Sequence, residues 1–152
     1  MVITLASLKE TQKFAAYFAD HTAPGDFFAL SGLLGAGKST FARFFIRRAS
    51  LNNRLVVPSP TYTLLQSYAT PKGHIHHFDF WRLDYFSDEF KLEFDELVKD
   101  ICIAEWAPKF LPYLPAKTIF ITFAAISEVQ RSVEVIGASP ECYKDLGNIF
   151  LQ

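Results

Sequence analysis

Cysteine is scarce in this chain. There are two, Cys102 and Cys142, too far apart to form a C-x-x-C pair. They read most simply as two reduced thiols, not as a disulfide framework. An excess of positive charge is also missing. Fifteen lysines and arginines face sixteen aspartates and glutamates, for a formal charge of −1. A chain that held nucleic acid by itself would usually show a basic stripe, so any service to RNA is expected to run through a partner. No run of about 18 apolar residues and no charged-then-apolar leader occurs. The expected location is therefore the cytoplasm, with no membrane partner. Internal repeats, low-complexity tracts and linkers are lacking too, and residues 1–152 are expected to form a single domain with a sizeable core.

What the chain has is apolar surface. Half of it is hydrophobic, and sixteen residues are phenylalanine. "VITLA" (2–6) reads as a strand. Ser7 and Glu10 form a capping box before a helix that buries Phe14, Ala15 and Phe18. "FFALS" (27–31) and "ICIAE" (101–105) read as buried strands, and "RLVV" (54–57) as a short one. "TYTLLQSY" (61–68) and "HIHHFDF" (74–80) flank "ATPKG" as a hairpin. Helices are expected from about Lys38 to Ala49, from Ser87 to Lys99, and after Ser139-Pro140-Glu141. "TIFITFA" (118–124) and "SVEVIG" (132–137) look like closing antiparallel strands. Strands alternating with helices predict an α/β sheet covered on both faces.

Between "FFALS" and the next helix stands "GLLGAGKST". Residues 32–39 fit G-x-x-x-x-G-K-[ST] without a gap. Glycines let successive amides point inward as a nest for anionic oxygens, and the helix N-terminus adds its dipole there. Lys38 would bring a mobile positive charge to the β- and γ-phosphates, and the Ser39 hydroxyl could ligate Mg²⁺. A dinucleotide loop would need glycine at position 40, which is Thr40. The fold class expected is thus α/β, a P-loop NTPase-like three-layer sandwich with a mostly parallel central sheet and antiparallel strands added. The absence of N-K-x-D leaves guanine selectivity unsupported. The absence of an arginine-rich lid weakens a small-molecule kinase, and the length is too short for a motor ATPase with its own second domain.

A phosphate grip needs acids near its metal ion and a group to orient the attacking oxygen. Asp79 and Glu105 both end apolar strands, and either could lie at the carboxyl edge of the sheet. Each could also be a plain strand cap. In "HIHH", His74 and His76 share one strand face and His77 shares the other with Asp79. Zinc would need four convergent ligands, and neither cysteine is nearby. Arg43, Arg47 and Arg48 read as a solvated helix face.

"GLLGAGKSTFARFF", "VPSPTYTLLQSY", "HFDFWRL" and "ICIAEW" follow in an order and spacing that resemble the bacterial TsaE (YjeE) family. That family comprises small P-loop ATPases of tRNA threonylcarbamoyladenosine biosynthesis. The resemblance runs from the capped first helix to Trp106. It implies that Gly35, Ala36, Gly37, Lys38, Ser39 and Thr40 hold the phosphates of ATP, and that Ser39 and Glu105 stand near Mg²⁺. It implies a switch-like loop around Thr61 that senses the γ-phosphate, a second acidic group at Asp79, and Trp106 beside the nucleotide. Thr11 resembles a family threonine near adenine or ribose. The implied partners are the TsaB and TsaD proteins, with tRNA reached only indirectly. The sequence departs from the family at Leu33, where aspartate is usual, at Trp81, where tyrosine is usual, and at Ser39, where threonine is usual.

Three functions remain open on these residues. One is a Mg²⁺-dependent ATPase that supports threonylcarbamoyl transfer by a partner, with Lys38, Glu105, Asp79 and Thr61 as its catalytic set. The second is a small-molecule P-loop kinase. The third is a non-hydrolysing nucleotide sensor that assembles partners.

Overall fold

Apolar alternation along the central strands sets the architecture. In the computed structural model, which describes residues 1–152, Phe28 and Leu30 of strand β2 (Phe27–Ser31) enter one apolar cluster, and Phe27 and Ala29 enter another. Strand β5 (Ile101–Glu105) divides in the same way, with Ile101 and Ile103 on one side and Cys102 and Ala104 on the other. Successive side chains of a strand point to opposite faces, so the sheet is apolar on both.

Seven strands form one mixed sheet, and the chain is α/β. The remaining strands are β1 (Val2–Leu5), β3 (Leu65–Thr70), β4 (Gly73–Asp79), β6 (Thr118–Ala125) and β7 (Arg131–Ile136), in the order β1-β7-β6-β2-β5-β4-β3. β6, β2, β5 and β4 are mutually parallel. β7 and β3 flank them antiparallel, and β1 pairs antiparallel with β7 at one edge. Three pairings are parallel and three antiparallel: the sheet is mixed, with a parallel centre and antiparallel strands added to it.

Helix α1 (Leu8–His21) buries Thr11, Phe14, Ala15, Phe18 and Ala19, one stripe at helical spacing. Ser7 Oγ accepts from the Glu10 amide at 3.3 Å, while the Glu10 carboxylate takes the Ala6 amide at 2.6 Å, one residue earlier than a capping box requires. α2 (Lys38–Ala49) buries Phe41, Ala42, Phe45 and Ile46. α3 (Asp88–Leu97) and α4 (Pro140–Phe150) begin at Ser87 and Ser139, whose hydroxyls accept from the Phe90 and Cys142 amides. No helix is long and apolar enough to cross a membrane. Both cysteines are free thiols, and burial pushes Cys102 up to about 12.

Three expectations shift. Residues 54–57 are not a strand: they pair with no strand of the sheet, the Leu55 carbonyl accepts from Arg47 Nε at 2.9 Å, and Pro58 carries no amide donor. β3 starts at Leu65 instead of Thr61, because Leu64 has φ 68° and its amide closes a turn on Pro60 at 2.7 Å. Pro108 and Pro112 punctuate a kinked 3₁₀ segment, Ala107–Tyr113, that periodicity did not announce.

Gly32 joins β2 to the glycine loop at φ +133°, and a Cβ there would collide with the Phe123 carbonyl oxygen. Gly32→Ala is expected to destabilise the fold by about 1–3 kcal/mol from backbone strain alone, and by more once Phe123 is displaced. Gly35, also at a positive φ of +79° but with nothing within 4 Å of a Cβ, is the control for the clash. Urea midpoints of the two alanine variants check this. Equal midpoints would mean that β6 yields to the new methyl.

Candidate functional site

The parallel strands end together, and their register brings the two acids side by side. Asp79 closes β4 directly opposite Glu105, which closes β5, and Glu105 is in turn opposite Leu30 of β2. The glycine loop leaves β2 at this same edge. A crevice beyond the carboxyl ends of parallel strands is where α/β sheets bind ligands. Here it is a cleft of about 370 Å³ between the loop, the start of α2 and the two acids.

At the floor of the cleft, α2 begins at Gly37, with no side chain capping it. The first helical bond runs from the Phe41 amide to the Gly37 carbonyl. The amides of Lys38, Ser39 and Thr40 precede it without an intrahelical partner, as at any helix start. Lys38 folds back over the loop and donates to the Gly32 and Leu33 carbonyls at 2.6 and 3.0 Å. Its ammonium also lies 4.2 Å from the ring centre of Trp106. Burial lowers the Lys38 pKa, and the Glu105 and Asp79 charges pull it partly back.

Each carboxylate is held at both oxygens. Glu105 Oε1 accepts from the Ser39 hydroxyl at 2.7 Å, and Oε2 lies 2.7 Å from His77 Nε2. Asp79 Oδ1 accepts from the Trp81 amide at 2.9 Å, and Oδ2 from the Thr61 hydroxyl at 2.8 Å. Ser59 sits 2.9 Å from Thr61 and 3.5 Å from Asp79, so the segment 58–64 is tied to the acid at its centre. Trp106 has φ +59°, a costly conformation for a bulky residue, and its amide donates to the Leu30 carbonyl. Trp81 is half exposed at the mouth, with its ring centre 4.5 Å from that of Trp106.

Open helix amides and a lysine suit an anion, and a hydroxyl beside carboxylates suits a hard divalent cation, which takes oxygen ligands. The donor set is all oxygen, so it fits Mg²⁺ and not a thiophilic metal. The histidines of "HIHH" are engaged separately. His76 bonds Ser67 and Asp100, His77 bonds Glu105, and no group of three His, Cys, Asp or Glu side chains converges as a metal cage.

The sequence model of the family described as "Threonylcarbamoyl adenosine biosynthesis protein TsaE" matches residues 5–133. The chain belongs to the TsaE family. The match extends past Trp106, through β6 and into β7. A Rickettsia prowazekii protein named tRNA threonylcarbamoyladenosine biosynthesis protein TsaE is 40% identical over 105 residues, 68% of this chain and 72% of its own. The protein of that name from Bacillus subtilis is 29% identical over 125 residues, covering 82% of this chain and 78% of its own. The crystal structure of YdiB from the same genus and species superposes with a TM-score of 0.72 at 26% identity, over 98% of this chain and 92% of the other.

Of the residues singled out from sequence, Gly35, Gly37, Lys38, Ser39, Thr40, Thr61, Asp79, Glu105 and Trp106 all line the one cleft of this TsaE-family chain. Thr11 and Ala36 do not. Thr11 is buried in α1, and its hydroxyl is spent on the Ser7 carbonyl at 3.4 Å. Ala36 is buried in the core, and its amide closes a turn on the Leu33 carbonyl. Sequence reasoning left out Leu34, Ser59 and Trp81, which also line the cleft, and His77, which supports it from behind. A signal for His77 existed: strand alternation puts it on the face of Asp79.

Proposed function

We propose that this chain is a Mg²⁺-dependent ATPase subunit required for threonylcarbamoyladenosine modification of tRNA, acting on an assembly of TsaB and TsaD proteins. Membership of the TsaE family supports the pathway. The reading of the site rests on one observation: Lys38, Ser39, Asp79 and Glu105 share a single cleft at the uncapped start of α2. In this reading the fold is a P-loop NTPase-like three-layer sandwich, and the glycine loop is its phosphate grip.

The amides of Gly35, Gly37, Lys38, Ser39 and Thr40 and the Lys38 ammonium bind the phosphates. Ser39 and Glu105 hold Mg²⁺, which when bound neutralises developing phosphate charge. Asp79 orients the attacking water and accepts its proton, and Thr61 carries the state of the γ-phosphate into the segment 58–64. In the free chain Lys38 is engaged by two loop carbonyls and Asp79 by three donors or near-donors. Turnover by the chain alone is therefore slow, and a partner that reshapes the segment 58–64 accelerates it. The low net charge fits a subunit that meets tRNA only through others.

The test is ATP turnover with and without the TsaB–TsaD pair. The expected result is a low rate alone and a clear rise with the pair. A rate that rises with a small hydroxylic acceptor instead would favour a kinase, and tight ATP binding with no turnover in either case would leave a sensor.

A further inference from the structure

We propose that His77 is a positioning residue for Glu105: its ring fixes one carboxylate oxygen so that the other faces the cleft. The proposal rests on the reading of Glu105 as a group beside the cation.

His77 Nε2 lies 2.7 Å from Glu105 Oε2, and the two side chains are 1% and 2% exposed. The other oxygen, Oε1, meets the Ser39 hydroxyl. Glu105 and Ser39 line the cleft, and His77 does not. The ring therefore touches the site through Glu105. Strand register explains the approach: Asp79 is opposite Glu105, so His77, two residues earlier on the same face, stands behind the acid.

The second ring nitrogen, Nδ1, is buried with no hydrogen-bond partner. A proton on Nδ1 would be a buried donor with nothing to accept it, and such orphaned donors are rarer than idle acceptors. The ring proton accordingly sits on Nε2 and is donated to Oε2. The contact removes the torsional freedom of a three-χ side chain. Ligands to metals are commonly oriented from behind in this way, and loss of such a partner typically costs about 10–100-fold in metal affinity or activity.

The test uses His77→Leu, His77→Gln, Glu105→Gln and the double variant His77→Leu/Glu105→Gln. Calorimetry gives the Mg²⁺ affinity of each protein bound to a non-hydrolysable ATP analogue, the affinity for the metal-free analogue, and thermal unfolding reports folding. His77→Leu is expected to weaken Mg²⁺ about tenfold or more at unchanged affinity for the metal-free analogue. His77→Gln, whose amide N–H reaches about where Nε2 does, is expected to restore most of the loss. In the Glu105→Gln background His77→Leu should add nothing. Wild-type Mg²⁺ affinity in His77→Leu beside an impaired Glu105→Gln overturns the proposal and leaves the reading of Glu105 standing. Losses that multiply in the double variant overturn it as well, since His77 then acts by another route. A silent Glu105→Gln removes the reading of Glu105 and the positioning role with it. If His77→Leu does not fold, His77→Gln against the shorter His77→Asn decides: Gln active and Asn impaired supports the proposal, and equal behaviour overturns it.

Discussion

Glu105→Gln is expected to lower ATP turnover by about 10²–10³-fold, the order lost when one preorganised electrostatic contact to a transition state is removed. ATP affinity should change far less, because the carboxylate matters most where charge develops. The amide suits its surroundings: its oxygen can accept from His77, and its NH₂ can donate to Ser39 Oγ, two contacts now at 2.7 Å each. The variant therefore removes charge while keeping shape, and its melting temperature should stay near wild type. Single-turnover hydrolysis measured beside calorimetric ATP binding separates the two effects. Wild-type turnover would reduce Glu105 to a strand cap and pass its role to Asp79.

Lys38→Ala is expected to weaken ATP about ten- to a hundredfold, since a hydrogen bond to a charged group contributes roughly 1.5–3 kcal/mol. The lysine is buried, is pushed down in pKa by that burial, and faces two carboxylates. Its bonds in the free chain are to the carbonyls of Gly32 and Leu33, which are also lost in the variant. Loop rigidity should fall, but the core residues of α2 are untouched and the fold should survive. Calorimetry on the folded variant is the check, and undiminished affinity would remove Lys38 from the phosphate grip.

The parts of the site that were legible in the sequence are those carried by short spacing. G-x-x-x-x-G-K-S fixes the loop within eight residues, and Asp79 in "HHFDF" and Glu105 in "ICIAE" each stand toward the end of a strand-like run. The pairing of Asp79 with Glu105 was not legible. They are 26 positions apart, and parallel register is set by packing across the sheet and not by local pattern. The same distance hid the bond between His77 and Glu105, although alternation had already put His77 on the face of Asp79. Thr11 shows the reverse case. A threonine on the apolar stripe of α1 is accounted for by burial and a back-bond to Ser7, and it does not line the cleft. "RLVV" has strand composition, but the Leu55 carbonyl bonds the Arg47 side chain and no strand of the sheet pairs with it, a tertiary outcome that residues 54–57 do not announce. The equal number of parallel and antiparallel pairings follows from β1, which folds back to β7 across nearly the whole chain.

The chain contains two tryptophans, and both stand at the cleft mouth with ring centres 4.5 Å apart. Every indole photon the protein emits therefore originates at its site, with no background from the rest of the fold. Rings this close are electronically coupled, so a molecule that wedges between them or turns one of them alters both emission and near-ultraviolet dichroism. The ammonium of Lys38 over Trp106 adds a second sensitivity, because its departure changes the field on that ring. Unlabelled protein in a stopped-flow cell can thus report the arrival of a ligand and the release of the lysine as separate optical events.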